Sequence, residues 1–170
     1  MQRHEREVAK VNFGRHQRVG KGVFSHHSPL SGSAANSQRT ARDVVERVGV
    51  WLFDDARRVI RCVHLLERSS GEVFEGALLR VQDFPSYFRA LEAQRAVPAG
   101  DALHFAATSE LRRAYLEPLG IRAMLDAPIF REGRLVGVVC NEDTSETRVW
   151  SSADYDFAAT VSDTLARVFA

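Results

Sequence analysis

Alternating apolar and polar positions predict three strands where the chain first becomes regular. The segment from Arg47 to Phe53 is apolar, β-branched and aromatic, and two aspartates follow it, which is typical of a strand that ends in a turn. Arg58 to Glu67 has the pattern of a second strand, and the short link between the two predicts a hairpin. After a Ser-Ser-Gly turn, Val73 to Leu79 is the third predicted strand.

The middle of the chain favours short helices and one edge strand. We expect Asp83 to cap a helix from Pro85 to Ala93, with proline in the first turn. Ala96 to Pro98 reads as a brief edge strand, where proline is tolerated. A further helix is predicted from Thr108 to Leu116, capped by one of its first two residues.

The last third of the chain has the clearest pattern. Two strands, Arg122 to Phe130 and Leu135 to Asn141, are predicted to form a hairpin whose turn contains Gly133, a residue that tolerates positive φ. A Ser-x-x-Asp capping box at 151–154 then opens a helix. Its apolar stripe runs to the last residues without a C-cap, so we expect the helix to continue into a partner or a following domain. The stripe consists of Phe157, Ala158, Val161, Leu165 and Val168.

Antiparallel hairpins with helices segregated around them predict an α+β domain with about six strands. A helix at 35–46 opens that domain, which we expect to span 35–170. Residues 1–34 are expected to form a basic, weakly ordered lead-in. Residues 1–42 carry a net charge of +6 and the remainder −5. A basic arm suits nucleic acid or anionic lipid, but this one has no recognisable nucleic-acid motif, so we expect neither partner.

Other function classes are disfavoured by what the sequence lacks. No stretch has the roughly 18 apolar residues that a transmembrane helix needs, so no membrane contact is expected. Cys62 and Cys140 lie in strand-like runs and are interpreted as reduced core thiols of a cytoplasmic protein. No spacing of Cys and His predicts a zinc site.

Four segments stand out in this order: RVGVWLFD at 47–54, LGIRAMLDAPI at 119–129, GRLVGVVCNE at 133–142 and WSSAD at 150–154. Together they resemble the GAF domain, a sensory module of phosphodiesterases, phytochromes and bacterial signalling proteins. The resemblance covers about 35–170, and 120–140 aligns without gaps with phytochrome GAF domains. It implies a profilin- or PAS-like antiparallel sheet, with the terminal helices on one face and short helices and loops covering a ligand pocket on the other.

The same resemblance implies which side chains reach that pocket. Trp51 matches the aromatic residue that lines the chromophore in phytochromes, and either it or Tyr115 would stack on a ligand ring or fill the core. We expect the strand positions of 124, 126, 139 and 141 to face the pocket. The candidate ligand-binding residues are Trp51, Phe53, His64, His104, Phe105, Tyr115, Met124, Asp126, Val139 and Asn141.

Asp126 is the candidate with the strongest physical argument. It interrupts a strand made otherwise of Met, Leu, Ala, Pro and Ile, and an unpaired buried carboxylate costs several kcal/mol or shifts its pKa. It either anchors a cationic or hydrogen-bonding ligand group or is paired internally with Arg61, His64 or His104, or faces solvent.

The known ligands of GAF domains fit this sequence poorly. Asn141 is kept from the cyclic-nucleotide pattern, but Glu142 stands where lysine is expected. Cys140 matches a phytochrome cysteine that does not carry the bilin, and Asn141 replaces the histidine that packs on it. No histidine is convincingly placed as a haem ligand. The cofactor therefore stays unidentified, and a small polar or aromatic ligand is favoured.

The leading interpretation is a regulatory, non-enzymatic module of a bacterial signalling protein. It would bind a small molecule, dimerise through its terminal helices and act on a kinase or diguanylate cyclase (GGDEF) output domain. One alternative is a module that only dimerises, with its pocket filled by its own side chains. The other is a free methionine sulfoxide reductase, which requires a reactive thiol in a mobile loop.

Overall fold

The computed structural model describes residues 14–15 and 45–168 and has the predicted α+β architecture. Its strands are β1 (Gly14–Arg15), β2 (Arg47–Phe53), β3 (Val59–Glu67), β4 (Val73–Glu75), β5 (Leu78–Arg80), β6 (Val97–Ala99), β7 (Ala123–Arg131) and β8 (Arg134–Asp143). Its α-helices are α1 (Pro85–Ala93), α2 (Glu117–Leu119) and α3 (Ser152–Val168). Further helical turns are 3-10 at Val81–Asp83 and Ser109–Leu111 and π-helical at Arg112–Leu116.

The strands form one antiparallel sheet in the order β1-β4-β3-β2-β8-β7-β6, with β5 also paired to β3. Two strands exceed the six predicted. The predicted strand at 73–79 is divided into β4 and β5 at Gly76, which has a φ of +82°, and β1 adds to the edge beside β4. Apart from β1, the lead-in at 1–34 lies outside the described residues. So does the helix predicted at 35–46, except for residues 45–46, which are not helical.

The two faces of the sheet carry separate cores. On one face, α1 and the helical turns at 109–119 pack over the central strands in the larger core. On the other, α3 packs on β7 over Ala123, Leu125 and Ala127, with Trp150 beside them. The side chains of β7 therefore alternate between the two cores, as the pleat of a strand requires.

Two β-bulges, one in β3 and one in β8, interrupt the alternation of side chains between the two faces of the sheet. The β2–β3 register shifts between Val50 and Trp51, so that Trp51 pairs with Cys62 and Val50 with His64. The β7–β8 register shifts between Ile129 and Phe130, which pairs Ile129 with Gly137. Each bulge inserts one unpaired residue, so every later residue of that strand is on the face opposite to the one expected from simple alternation.

The predicted cap of α1 is wrong. Asp83 lies in the preceding 3-10 turn, and Phe84 is the N-cap residue without a side-chain hydrogen bond. The next helical segment does begin at the predicted place, with Thr108 as the N-cap residue, but the Thr108 hydroxyl donates to the Ala102 carbonyl at 2.7 Å and makes no capping bond. Proline at the first position is sufficient for α1, since its missing N–H would have no partner there.

The predicted capping box of α3 is present. The backbone N–H and the hydroxyl of Ser151 both donate to Asp154 Oδ2, at 2.7 and 2.8 Å. Ala158 and Ser162 are the residues of α3 that the sheet buries, and the Ser162 hydroxyl donates to a carbonyl of β7. Small side chains let the helix approach the strand closely.

Only part of the apolar stripe of α3 faces the sheet. Ala158 is buried, and Val161 and Leu165 are half-buried, but Phe157 is 65% exposed and Val168 is 67% exposed. These two exposed side chains lie on one edge of the stripe, away from the buried Ala158 and Ser162. No helix within 45–168 is long and apolar enough to cross a membrane.

Gly137 provides a test of the tight contact between β2 and β8. A Cβ placed there would lie 2.4 Å from the Trp51 carbonyl oxygen and 2.7 Å from a methyl of Leu52, so the two backbones would have to separate. We expect Gly137→Ala to lower the free energy of unfolding by about 2 kcal/mol or more in urea titrations, as overpacking does.

Gly49→Ala is the matched control on the neighbouring strand. Its Cβ would meet Leu65 side-chain atoms at 3.2 and 3.4 Å and the Trp51 indole nitrogen at 3.3 Å. These side-chain atoms need to give by only a few tenths of an ångström, so the cost should stay at about 1 kcal/mol. Equal costs for the two variants would contradict the proposed backbone contact.

Candidate functional site

A small cavity lies between the sheet and the segments that cover it. Strands provide six of the lining side chains, α1 provides one, and the helical turns at 109–119 provide two. The lining residues are Trp51, Ile60, Leu79, Tyr87, Leu111, Tyr115, Met124, Val138 and Cys140.

The cavity is nearly filled by its own walls. Its volume is about 10 Å³, about enough for one water molecule. The rings of Trp51 and Tyr115 meet edge to face with centroids 5.8 Å apart, which is a favourable aromatic geometry. Met124 closes the space from β7. A ligand larger than a few atoms can enter only if a covering segment moves.

A buried carboxyl group lies beside the cavity wall. Asp126 is fully buried, and its Oδ2 accepts a hydrogen bond from the Tyr87 hydroxyl at 2.6 Å. Burial raises the pKa of Asp126, and the nearby Glu142 charge acts in the same direction. The hydrogen bonds of Tyr87 and the Cys140 thiol lower it, and the net result is a pKa of about 7. Asp126 therefore exchanges its proton near neutral pH.

A second carboxyl group lies on the adjacent strand. The Tyr115 hydroxyl donates to Glu142 Oε1 at 2.5 Å, and a guanidinium nitrogen of Arg47 lies 3.4 Å from Glu142 Oε2. Burial raises the pKa of Glu142, while Arg47 and Tyr115 act in the opposite direction. Glu142 thus has a buried cation as its partner, in contrast to Asp126.

The two tyrosines connect the covering segments to the sheet. Tyr87 belongs to α1 and bonds to β7, whereas Tyr115 belongs to the π-helical turn and bonds to β8. Burial raises the pKa of both phenols well above the ordinary value, so both remain protonated and act as donors. Movement of either segment away from the sheet must break or rearrange its own hydrogen bond.

Both thiols are buried and poorly disposed to react. Burial raises the pKa of Cys62 to about 12, and burial together with the neighbouring carboxyl groups raises that of Cys140 well above its ordinary value. A nucleophilic cysteine needs the opposite shift. No cluster within the described residues brings three His, Cys, Asp or Glu side chains together in a way that could hold a metal ion.

Six of the ten sequence-predicted site residues lie at the cavity or in its surrounding core. Trp51, Tyr115 and Met124 line the cavity, and Asp126 lies directly behind Tyr87. Phe105 is half-buried and packs against the same core. Phe53 is also on this side of the sheet, but it packs on Phe88 and does not line the cavity.

The expected orientation of three strand residues is wrong. Val138 and Cys140 line the cavity, so alternation turns Val139 and Asn141 to the opposite face. His64 is exposed, because the bulge in β3 places it opposite Val50 and not opposite Gly49. The bulge in β8 has the same effect: without it Asp126 would pair with Val139, but in the structure it pairs with Cys140.

His104 is also away from the cavity. It lies in an exposed loop, where its ring Nδ1 is 3.0 Å from a carboxylate oxygen of Asp101. Among the described residues, the hydrogen-bond partners of Asp126 are Tyr87 and Cys140, and not Arg61, His64 or His104.

Sequence reasoning missed Tyr87, Cys140 and Glu142 as site residues. Tyr87 is in a correctly predicted helix, but its partner lies 39 residues away, and no local pattern indicates that pairing. Glu142 did have a signal, because it is a second acidic residue at the end of an apolar strand, two positions from Cys140 and so on the same face.

The raised pKa of Asp126 predicts an unusual dependence of stability on pH. Between the ordinary value of 3.8 and about 7, the folded protein keeps a proton that the unfolded chain loses. The stability that this proton provides is fully present below about pH 4. As the pH rises from there to about 7, the free energy of unfolding falls by at most about 1.4 kcal/mol per pH unit. Asp126→Asn should remove it, so the variant should gain stability relative to the wild type between pH 5 and pH 8 in urea titrations.

Asp55→Asn, in the exposed turn after β2, is the control and should follow the wild type. If wild type and Asp126→Asn show parallel pH dependence, Asp126 does not hold the proton in the folded state.

The family model of the GAF domain matches residues 38–169. Among solved structures, the PixJ GAF domain of Thermosynechococcus elongatus in its blue-light absorbing form has 24% identity and a TM-score of 0.58, over 79% of this chain and 81% of that one. A search of curated protein sequences finds no match.

Two further neighbours come from signalling proteins. A segment of a methyl-accepting chemotaxis protein has 18% identity and a TM-score of 0.58, over 79% of this chain and 83% of that one. A domain of a putative two-component sensor histidine kinase from Sinorhizobium meliloti 1021 has 18% identity and a TM-score of 0.55, over 79% and 84%. At these identities the structures establish the fold, and the family match over most of the sequence establishes that the chain belongs to the GAF domain family.

Proposed function

We propose that this GAF domain is a regulatory module that binds a small molecule between its sheet and its covering segments. The observation that carries the proposal is the pair of buried carboxyl groups, Asp126 and Glu142, each bonded to a tyrosine of a different covering segment. Buried ionisable groups often stabilise a fold less than apolar side chains of the same size do. Their presence beside this cavity is better explained by ligand recognition than by packing.

Binding would change the position of the covering segments. A ligand that takes over a hydrogen bond of Asp126 or Glu142 competes with Tyr87 or Tyr115, and so releases α1 or the turns at 109–119 from the sheet. A ligand shifts such an equilibrium only by its difference in affinity for the two states. The signal would pass to a kinase or diguanylate cyclase output domain, which accords with the chemotaxis and sensor-kinase origin of structural neighbours.

The site does not favour the ligands of better-known GAF domains. A cavity of about 10 Å³ has no room for a tetrapyrrole. In this respect the chain differs from what the blue-light absorbing form of the similar PixJ GAF domain would suggest. Two carboxyl groups at the wall also oppose the phosphate of a cyclic nucleotide. We therefore propose a compact ligand without negative charge.

No catalytic role is proposed. The free methionine sulfoxide reductase alternative needs a thiol that ionises easily in an accessible loop. Burial instead raises the pKa of Cys62 to about 12, and Cys140 is buried in β8 beside Asp126.

A second candidate function is favoured by the small size of the cavity. Trp51, Tyr115 and Met124 already fill most of the space, as expected for a module that only dimerises. The difference between the two candidates is whether these side chains yield to a ligand.

Filling the remaining space separates the two candidates. Val138→Leu adds one methylene at the cavity wall, and Val136→Leu adds the same group at the half-buried bulge of the same strand. If the domain senses a small molecule, native mass spectrometry of the full chain should detect a bound component that Val138→Leu reduces at least about tenfold, by the cost of overpacking, and Val136→Leu does not.

Absence of a bound component, together with no stabilised hit in a thermal-shift screen of small molecules, would contradict sensing. In that case Val138→Leu should be as stable as the wild type or more so, because it would complete a core that nothing else enters.

We also propose that the chain is a homodimer through its terminal helices. The stripe of Phe157, Val161, Leu165 and Val168 leaves two large apolar side chains about two-thirds exposed, and a second copy of α3 would cover them. Phe157→Lys should convert a dimer to a monomer in light scattering after size exclusion. Asp163→Lys, on another side of α3, should leave the dimer intact, and a monomeric wild type would refute the proposal.

A further inference from the structure

The charges around the cavity do not balance. Asp126 and Glu142 are both fully buried, and the Glu142 charge raises the pKa of Asp126. Arg47 pairs with Glu142 at 3.4 Å. No ion pair within residues 45–168 reaches Asp126. When both carboxyl groups are ionised, the site has one uncompensated negative charge, which a proton or a bound cation must neutralise.

One oxygen of Asp126 is poised to accept another partner. Its Oδ2 receives the Tyr87 hydroxyl, whereas its Oδ1 is buried and satisfies no hydrogen-bond geometry with a nitrogen or oxygen of the described residues. The Cys140 thiol is close enough to influence it, but a thiol is a weak donor. A charged N–H group would be a far stronger partner for this oxygen.

Three of the nine lining residues are aromatic. Trp51, Tyr87 and Tyr115 all line the cavity, and each is at most 2% exposed. The faces of such rings attract cations, and the attraction is largest where water is excluded. The charge deficit and the aromatic walls therefore favour the same chemical class of ligand.

We propose that the cavity binds a small organic cation, an amine in its ammonium form, with the ammonium group against Asp126 and among the rings of Trp51, Tyr87 and Tyr115. This inference rests on the proposed sensory function, which it narrows from an unspecified ligand to an organic amine. The ammonium group takes the place of the Tyr87 hydroxyl or shares Asp126 with it, which loosens α1 from β7. The remainder of a larger amine would follow the space that α1 leaves.

Cation binding at this site is coupled to proton release. Without a ligand the proton neutralises Asp126, whose pKa is raised to about 7, and the ammonium group replaces that proton. The other titratable groups facing Asp126 are Tyr87 on α1 and Cys140 and Glu142 on β8, while β6 brings the uncharged Val97 opposite it. Affinity should therefore fall about tenfold per pH unit below about pH 7 and level off above it.

Ethylammonium chloride is a suitable probe because it carries the ammonium group on a very short chain. We expect a titration at pH 8 and constant ionic strength, followed by ¹H–¹⁵N NMR of the full chain, to give saturable shifts at the Trp51 indole and at residues of α1. Three heavy atoms limit the affinity to the millimolar range at best. Ethanol, the neutral isostere, and potassium chloride should give no saturable shift.

Asp126→Asn is the decisive variant, since it keeps an acceptor for Tyr87 but removes the charge. It should weaken ethylammonium binding at least about tenfold and abolish the pH dependence of binding, while its urea unfolding at pH 8 verifies that it is folded. Asp55→Asn should bind as the wild type does. Should the Asn variant unfold, the pH dependence of ethylammonium binding to the wild type still tests the proposal.

The outcomes separate this inference from the function on which it rests. Equal binding of ethanol, saturable binding of potassium, or no loss of ethylammonium binding in Asp126→Asn would overturn the assignment of an organic cation. So would a co-purified neutral or anionic molecule that Val138→Leu displaces, although sensing itself would then stand. No bound component and no probe binding would overturn both.

Discussion

Two carboxyl groups removed from water determine how the covering segments of this domain pack. Desolvation makes an unpaired carboxylate costly, so Asp126 and Glu142 need donors from above the sheet. Tyr87 and Tyr115 are those donors, and each anchors its own segment. The position of α1 and of the π-helical turn is thus fixed by two phenolic hydroxyls as well as by apolar contact, and the cavity has its size because both bonds are made at once.

The two carboxyl groups have different electrostatic surroundings. Glu142 has Arg47 beside it, and its charge is compensated whether or not a ligand is present. Asp126 has phenol and thiol neighbours that carry no charge, and its pKa is raised to about 7. One half of the site is therefore a permanent structural element, whereas the other half changes its protonation with its surroundings. A change at Asp126 can therefore alter the anchor of α1 while Glu142 keeps its hydrogen bond and its ion pair.

Much of the fold follows from sequence pattern, and the errors have a common physical origin. The hairpin of β2 and β3 and that of β7 and β8 were predicted within one or two residues, since their alternation and turn chemistry are local signals. The predicted faces of His64, Val139 and Asn141 were wrong because each hairpin contains a bulge. A bulge adds a single residue, here within runs of valines and similar side chains, and no change of composition marks it.

The candidate site was predictable only where one residue type conflicted with its surroundings. Asp126 was found because it interrupts an apolar strand. Trp51 was found because it matches an aromatic residue of the phytochrome GAF domains. Tyr87 was not, because its role depends on a partner 39 residues away. The direction of α3 also escaped prediction, since the residues that it buries are small, Ala158 and Ser162, while the larger Phe157 and Val168 stay exposed.

The π-helical turn that carries Tyr115 has a mechanical consequence. A π-helical turn contains more residues than an α-helical one, and π-bulges are frequent at functional sites. Conversion of Arg112–Leu116 to α-helical geometry would rotate the residues on one side of it by about 100° relative to those on the other. Tyr115 would then swing away from Glu142 while the chain on either side stayed folded. The segment can thus rotate about its helix axis without unfolding the structure around it.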